Sequence, residues 1–358
     1  MGITSRLTEE KTRKPLYHRI ILAVLGILII ISLIIAYRYY NFIFSPNVNT
    51  GADEEVSILI PTGSTFEEVK ALLYSHGLIL NKRAFEWVSK KKNYPANVKP
   101  GHYVLKSSMN NNFLVNMLRS GAQVPVNVVF NNVRTKELLA GKIALQIEAD
   151  SLSLVRLWND PNFLKTIGFT PSTISTMFIP NTYEMWWTSD AREFTMRMNK
   201  EYKRFWEGSR SDKARALKLS IPEVVTLASI VEKETEKNDD KPIIAGVYIN
   251  RLKKGWPLQA DPTLKYASGN FELKRVLNVH KEVESPYNTY KYSGLPPGPI
   301  CIPSIASIDA VLDYRKHDYM FFCAKSDMSG YSAFARTLAE HNRNANAYQQ
   351  ALDRKGIR

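Results

Sequence analysis

The clearest feature of the hydropathy pattern is an uninterrupted apolar stretch near the amino terminus. Residues 20–36 carry no charge and one polar side chain, Ser32. This length is at the short end of what spans a bilayer as a helix. Five aromatic residues follow, with only Arg38 charged among them, namely Tyr37, Tyr39, Tyr40, Phe42 and Phe44. Because aromatic rings settle at the headgroup level, the pattern predicts a transmembrane anchor with an aromatic belt over 20–44.

A cleaved signal peptide is the alternative interpretation of this stretch. A signal core is usually shorter, and small residues direct its cleavage where this chain has bulky tyrosines, so we favour a retained anchor. Basic residues precede the span and acidic residues follow it, namely Arg6, Lys11, Arg13, Lys14 and Arg19, then Asp53, Glu54 and Glu55. The positive-inside rule therefore predicts a single-pass protein of the cell inner (cytoplasmic) membrane, with a cytoplasmic tail over 1–19 and everything beyond residue 45 extracytoplasmic.

Short alternating segments follow the anchor. Turn residues and possible helix caps separate a strand, two helices and a second strand, predicted at 56–61, 66–76, 82–92 and 102–106. This order resembles the LysM module, a small carbohydrate-binding fold, although a spacer or docking domain could share the topology. A helix near 112–119 and a β-rich run over 124–130 lead onward. We therefore expect a LysM-like module with its connector at 45–123 and a larger domain at 124–358, both of the α+β class.

Composition and charge narrow the class of partner. The chain has 358 residues, 44% of them hydrophobic and 23% charged, which argues against wholesale disorder. Its net charge of +14 favours an anionic partner, such as nucleic acid, an acidic membrane surface or a cell-wall polymer. An extracytoplasmic location makes nucleic acid an unsuitable partner and a wall polymer a natural one. Cys301 and Cys323 form no paired metal motif, so they are packed thiols or one optional disulfide.

A predicted helix beginning after Ser220 carries the candidate chemistry. Ser220 and Glu223 form a capping box pattern, and apolar residues line one broad face of the helix that follows. Glu232 and Glu234 flank that face from opposite edges, and Glu234 has the more apolar side chains beneath it. Desolvation raises a carboxyl pKa, as a general acid requires. Spacing alone also fits a solvated helix end with alternating charges over 232–237.

The segments downstream of this helix are rich in amide, hydroxyl and aromatic side chains. Such residues suit sugars, because rings stack on pyranose faces and amides or carboxylates bind hydroxyls. The candidate substrate-binding residues are Tyr248, Asn250, Gln259, Asp261, Thr263, Tyr287, Asn288, Thr289, Tyr290 and Asn342. The sequence has no Gly-rich phosphate loop, nucleophile elbow or His-rich metal motif, so we expect no cofactor and no metal.

Several of these segments resemble the endolytic murein transglycosylase family, MltG or YceG-like. The central signature is similar to Leu-Ala-Ser-Ile-Val-Glu-Lys-Glu-Thr at 227–235, and six further elements follow the family order. They lie at 180–183, 247–252, 258–263, 285–290, 294–298 and 341–342. The resemblance covers nearly the whole chain, including the anchor and the small module. It overturns the alternative of a solvated helix end at Glu234.

The resemblance implies a mechanism and a set of roles. Glu234 would be the single catalytic acid/base, cleaving the β-1,4 linkage between N-acetylmuramic acid and N-acetylglucosamine in peptidoglycan and leaving 1,6-anhydro ends. Cell-wall synthases are the implied protein partners, with termination of nascent strands as the task. Glu232 and Asp240 are expected to support the site. The family often has Glu-Arg where this chain has Asp240 and Lys241, which have different reach. The alternatives are a two-carboxylate hydrolase and a wall-binding scaffold without catalysis.

Overall fold

A long apolar helix begins the part of the chain that the computed structural model describes, residues 16–273 and 276–356. This helix, α1 (Leu16–Phe44), has 29 residues and buries none of them. By length and composition it could cross a membrane, which is consistent with the predicted anchor over 20–44. Of the predicted cytoplasmic tail over 1–19, residues 1–15 lie outside the described residues.

The first of two units ends at Val124. After α1 its elements are β1 (Glu55–Ile60), α2 (Phe66–Ser75), α3 (Lys82–Lys91), β2 (Gly101–Lys106) and α4 (Asn111–Ser120). The two strands pair antiparallel, and the helices cover them around a core that includes the buried rings of Phe85, Tyr94 and Tyr103. The predicted strand, helix, helix, strand order is confirmed, while the likeness to a LysM module stays a prediction.

The second unit covers 125–358 and opens with an aromatic core. Its first elements are β3 (Val126–Phe130), α5 (Lys136–Ala144), α6 (Ser151–Leu157), α7 (Pro161–Ile167), β4 (Asn181–Met185), α8 (Ala191–Trp206) and α9 (Ser209–Leu217). The strands β3 and β4 pair antiparallel. Trp158 is fully buried beside Phe178, and its Nε1 donates a 2.9 Å hydrogen bond to Thr195 Oγ1. The buried indole, with its N–H hydrogen-bonded, fixes the position of the side chains that pack around it in this part of the unit.

The remainder of the second unit is built around one central helix. The elements are α10 (Ile221–Glu234), α11 (Lys241–Lys253), α12 (Asp261–Ser268), α13 (Ile305–Leu312), β5 (Phe321–Ala324), β6 (Ser332–Ala335) and α14 (Leu338–Arg354). The helices α11 and α13 pack on α10, while β5 and β6 form an antiparallel hairpin against α14. The described residues are thus of mixed α and β structure, which confirms the predicted α+β class.

The central helix α10 is more deeply buried than its sequence pattern predicts. The capping box of Ser220 and Glu223 is present, and every residue from Val224 to Val231 is buried, including polar Ser229. Ser229 Oγ donates to Thr226 O at 2.7 Å and accepts from Ile300 N at 3.0 Å. The polar side of α10 is therefore covered by a later segment whose backbone satisfies the hydroxyl, which a single-helix pattern cannot reveal.

The two cysteines are free thiols. Cys301 is buried, with its Sγ 3.5 Å from Ser229 O, and Cys323 is half-buried on β5. Burial raises the pKa of the Cys301 thiol to about 12. Of the two expectations from the sequence, packed thiols describe this structure.

A glycine on α11 tests how closely this helix packs. A Cβ at Gly246 would meet Arg315 O and His317 Nε2, each at 2.6 Å, whereas a Cβ at Gly141 on α5 meets nothing within 4 Å. We expect Gly246→Ala to lower the free energy of unfolding by about 1–3 kcal/mol through overpacking. Gly141→Ala should instead raise it by roughly 0.5–1 kcal/mol, because alanine is the better helix former. Denaturant unfolding of the full chain in detergent checks both, and equal stability of Gly246→Ala and wild type would contradict the packing described.

Candidate active site

An open cleft of about 550 Å³ lies at the carboxyl end of α10 in the second unit. Its walls come from α11, the start of α12, the hairpin of β5 and β6, and the start of α14. Five of the predicted site residues line it together, namely Glu234, Tyr248, Gln259, Asp261 and Tyr290. The outermost two, Glu234 and Tyr290, are 56 positions apart along the chain, so the fold gathers the five residues from four separate segments.

Glu234 is the last residue of α10, and it lines the cleft with only part of its surface exposed. Its Oε1 accepts a 2.5 Å hydrogen bond from the hydroxyl of Tyr248. Burial raises the pKa of Glu234 to about 7, and the charge of Asp261 adds to this effect. The Tyr248 hydrogen bond and the more distant cations Arg251 and Lys265 act in the opposite direction and lower the pKa. Burial prevails, so the carboxyl holds a proton in a large share of molecules near neutral pH.

The partner Tyr248 is fixed by its position on α11. Its ring is 1% exposed and meets Phe322 edge to face, with 5.9 Å between the ring centroids. Burial and the neighbouring Glu234 raise the pKa of Tyr248 well above its ordinary value. The phenol therefore keeps its proton and acts only as a donor to the carboxyl.

Arg251 lies one turn after Tyr248 on α11 and also lines the cleft. Its Nε donates to Met320 O at 2.9 Å, and its Nη1 donates to Leu258 O. The guanidinium lies 5.6 Å from the ring centroid of Phe321. These contacts hold a buried positive charge beside Glu234 with its donors directed to backbone carbonyls. Sequence reasoning did not select Arg251, although it stands directly after the selected Asn250.

A second carboxylate, Asp261, begins α12 at another wall of the cleft. The hydroxyl of Tyr290 donates to Asp261 Oδ1 at 2.5 Å. The neighbouring Gln259 has a φ of +51°, and its backbone N–H donates to Thr289 O at 3.0 Å. This unusual backbone turn directs the amide of Gln259 and the carboxylate of Asp261 into one cleft.

Six predicted substrate-binding residues do not line the cleft, namely Asn250, Thr263, Tyr287, Asn288, Thr289 and Asn342. Thr263 and Thr289 share a buried 2.8 Å hydrogen bond between their hydroxyls. Asn288 is fully buried and donates to Lys281 O and Val283 O. Their side chains thus stabilise the loops that carry Gln259 and Tyr290.

The other three lie elsewhere in the second unit. Asn250 donates from Nδ2 to His317 O at 2.8 Å and Tyr319 O at 3.0 Å. The ring of Tyr287 packs on Tyr266, and Asn342 is exposed on α14. Sequence position alone could not separate these residues from their cleft-lining neighbours.

Neither of the expected supporting residues, Glu232 and Asp240, lines the cleft. Glu232 Oε2 accepts from Ser304 Oγ at 2.6 Å, from Ser307 Oγ, and from Lys241 Nζ at 3.2 Å. Burial opposes ionisation of Glu232, yet the two hydroxyl hydrogen bonds and the charge of Lys241 together lower its pKa. Glu232 is therefore an ionised tie between α10, α11 and α13.

Asp240 ties the hairpin to the start of α11. It is 4% exposed, and its Oδ2 accepts from the backbone N–H of Ser332 at 2.6 Å. Ser332 and the preceding Tyr331 line the cleft from β6 and its loop. Asp240 and Lys241, the positions where the family resemblance is imperfect, thus hold different parts of the second unit, since Asp240 binds the hairpin and Lys241 binds Glu232.

His341 is a further cleft residue that the sequence prediction omitted. Its ring stacks on Phe321 with 5.5 Å between centroids, and burial lowers its pKa. Its buried Nδ1 has no hydrogen-bond partner within the described ranges. The sequence does contain a signal for His341, because this residue belongs to the element at 341–342 that carries part of the family resemblance.

The fold and the site define a class of protein. A carboxyl whose pKa lies near neutrality, in an open polar cleft lined by tyrosines, is typical of enzymes that use a general acid. The groups within the described ranges include no cluster of side chains able to hold a metal ion.

Comparison with known proteins identifies the family. Residues 58–347 match the model of the YceG-like family, and the chain belongs to that family. An endolytic murein transglycosylase of Bacillus subtilis (strain 168) is 30% identical over 336 residues, which cover 89% of this chain and 92% of the relative. Two proteins of Streptococcus pneumoniae with the same name, from strains D39 and R6, are 25% identical, and the match covers 90% of this chain but 64% of theirs.

A solved structure agrees with this assignment. The 2.6 Å crystal structure of a yceG-like protein from Listeria monocytogenes is 31% identical to this chain. The match has a TM-score of 0.56 and covers 81% of this chain and 98% of that one. The fold and the sequence elements thus point to one family.

The raised pKa of Glu234 predicts how stability depends on pH. Between about pH 4.5 and about 7 the unfolded chain releases this proton while the folded chain keeps it, so stability falls as pH rises through this window. Below this window Glu234 does not lower the free energy of unfolding, and above it Glu234 lowers the free energy of unfolding by about 3 kcal/mol. Glu234→Gln cannot ionise and should be the more stable protein at alkaline pH, by up to this amount.

Denaturant unfolding of the full chain across this pH window measures the effect. Glu236→Gln, an exposed neighbour, is the matched control and should follow wild type throughout. A stability difference between Glu234→Gln and wild type that does not grow with pH would contradict the buried, protonated carboxyl.

Proposed function

We propose that this chain is an endolytic lytic transglycosylase that cleaves the glycan strands of peptidoglycan. The single observation that carries the proposal is the carboxyl of Glu234, whose pKa of about 7 suits a group that must first give and then take a proton. Family membership and the names of the relatives support the choice of substrate.

The proposed reaction uses one carboxyl twice. Protonated Glu234 donates to the glycosidic oxygen of the β-1,4 linkage between N-acetylmuramic acid and N-acetylglucosamine, and the bond from that oxygen to the muramic C1 breaks. The Glu234 carboxylate then accepts the proton of the muramic 6-hydroxyl, whose oxygen bonds to C1. The products are a 1,6-anhydro end and a free 4-hydroxyl, with no water consumed.

The neighbours of Glu234 suit this double role. The Tyr248 hydrogen bond stabilises the carboxylate formed after proton donation, and Arg251 favours the same charged form. The carboxylate of Asp261 lines the same cleft, where it would stabilise the positive charge that develops at C1. A pKa near neutrality results from burial and these opposing charges together.

A two-carboxylate hydrolase is the second candidate function. Such enzymes need a nucleophile or base in addition to the acid. Asp240 does not suit this role, because it is buried and holds the backbone of Ser332. Asp261 is the remaining carboxylate on the cleft, and its position there is the specific observation that favours this alternative.

The remaining parts of the proposal concern location and partners. A single-pass anchor in the cell inner membrane, with its amino terminus in the cytoplasm, would hold the cleft on the outer side, where peptidoglycan is made. Cell-wall synthases are the proposed partners, and termination of nascent strands is the proposed task. The LysM-like unit is proposed to bind glycan. A wall-binding scaffold without catalysis is disfavoured, because it has no use for a buried protonated acid.

Product analysis tests the proposal. Full-length protein is incubated with purified sacculi, and the released fragments are identified by mass spectrometry. We expect wild type and the control Glu236→Gln to release fragments with anhydromuramic ends. Glu234→Gln should be slower by about 10²- to 10⁴-fold, the usual contribution of a general acid. Binding to sacculi without any release by wild type would favour the scaffold.

Asp261→Asn separates the two enzyme mechanisms. In the transglycosylase this variant keeps the anhydro product, and its rate falls off at a lower pH because the pKa of Glu234 drops when the Asp261 charge is removed. In the hydrolase it loses cleavage, and wild-type products carry hydrated reducing ends. The second outcome would overturn the proposed reaction.

A further inference from the structure

The carboxyl-terminal end of α1 directly contacts α3 and α4 of the first unit. The ring of Tyr39 stacks on Trp87 of α3, with 4.8 Å between centroids, and Phe42 meets the same indole edge to face at 6.2 Å. Asn111 of α4 donates from Nδ2 to Phe42 O at 2.8 Å, which satisfies a carbonyl at the end of α1. The first unit therefore has a fixed orientation relative to α1.

One face of α3 brings positive charge to this junction. Arg83, Trp87, Lys90 and Lys91 recur at the spacing of a single helix face, and Trp87 is the residue that stacks on α1. The three cations are exposed, and Lys91 Nζ lies 5.8 Å from the Trp87 ring centroid. The acid of this helix, Glu86, is directed elsewhere, toward Tyr74 and Lys70.

A cavity of about 320 Å³ opens beside the same junction. Arg38 and Asn41 of α1 line it, together with Leu80 and Asn81 from the segment that begins α3. Arg38 is exposed and forms no ion pair within the described ranges. The Arg38 guanidinium lies 6.0 Å from the ring centroid of Phe42, and a cavity lined by an exposed guanidinium and by amide groups suits a phosphate group.

Exposed apolar side chains complete the surface. Leu80 is 64% exposed at the edge of the cavity, and Phe113 is 56% exposed on the first turn of α4, two residues after Asn111. Apolar tips among cations are typical of surfaces that rest in the boundary between headgroups and acyl chains. The root surface is defined by Arg38, Leu80, Arg83, Lys90, Lys91 and Phe113.

We propose that the root surface seats the first unit on the bilayer and binds the anionic headgroup of a phospholipid from the leaflet in which α1 ends. This inference rests on the membrane anchorage proposed above, and it is independent of the reaction at Glu234. The aromatic end of α1 sets the level of the headgroups, and the contacts with Trp87 hold the cations of α3 at that level.

Lysine reactivity in lipid nanodiscs tests the proposal. Full-length protein is placed in discs of phosphatidylcholine alone or with phosphatidylglycerol added, and a water-soluble acylating reagent is followed by mass spectrometry. We expect Lys90 and Lys91 to react about three-fold more slowly in the anionic discs than in the neutral discs. A negative surface favours the protonated amine, which does not react, and the headgroups also cover the amines. Lys200 and Lys203, exposed on α8, are the internal comparison and should change less.

Two outcomes of this experiment would overturn the proposal. One is equal reactivity of Lys90 and Lys91 in both kinds of disc, or equal slowing at Lys200 and Lys203. The other is slowing in neutral discs when soluble glycerol phosphate is added, which would assign the surface to free anions. Failure of the chain to enter discs would contradict the anchorage as well, whereas loss of glycan cleavage leaves this test unaffected.

A matched pair of variants adds a second measurement. The first variant lacks the three exposed cations of α3 and combines Arg83→Gln, Lys90→Gln and Lys91→Gln. The second variant lacks three exposed cations at the end of α8 and combines Lys200→Gln, Lys203→Gln and Arg204→Gln. Native mass spectrometry after release from anionic discs counts the retained phosphatidylglycerol. The first variant should lose the retained lipid and the second should keep it, while equal retention by both variants would contradict the root surface.

Discussion

The site depends on the balance between the burial of one carboxyl and the hydrogen bond that opposes it. Burial favours the neutral form of Glu234, whereas the hydroxyl of Tyr248 favours the charged form. With burial alone the acid would not release its proton readily, and with the hydrogen bond alone it would not hold one. Burial and the Tyr248 hydrogen bond both act on the carboxyl of Glu234 at the end of α10, and together they give it a pKa close to neutrality.

The surrounding fold keeps this balance in place through three ties. The ionised Glu232 joins α10 to α11 and α13, and the buried Asp240 joins the hairpin to α11. Close packing at Gly246 sets the distance of α11 from the segment at Arg315. Each tie uses a residue that lies outside the cleft lining, yet each fixes an element that carries a cleft residue. The burial of Glu234 is therefore a property of the whole unit.

The sequence was sufficient for some parts of this picture and insufficient for others. The helix bearing Glu234, with its cap at Ser220, follows from local signals, and the family resemblance from the order of short elements. The cover over Ser229 and the positions of Arg251 and Phe322 do not follow, because they depend on contacts between segments far apart in the chain. For the same reason the polar residues of the loops could not be divided into those that face the cleft and those that hold the loops.

Direct titration of the Glu234 carboxyl tests most directly whether this residue can act as a general acid. Infrared difference spectra between wild type and Glu234→Gln, recorded across roughly pH 4 to 9, isolate the C=O band of the protonated Glu234 carboxyl, because only this acid differs between the two proteins. We expect this band to disappear with a midpoint near pH 7. A midpoint near the ordinary value of 4.5 would show that the carboxyl is ionised at neutral pH, and the role of Glu234 as a general acid would be contradicted.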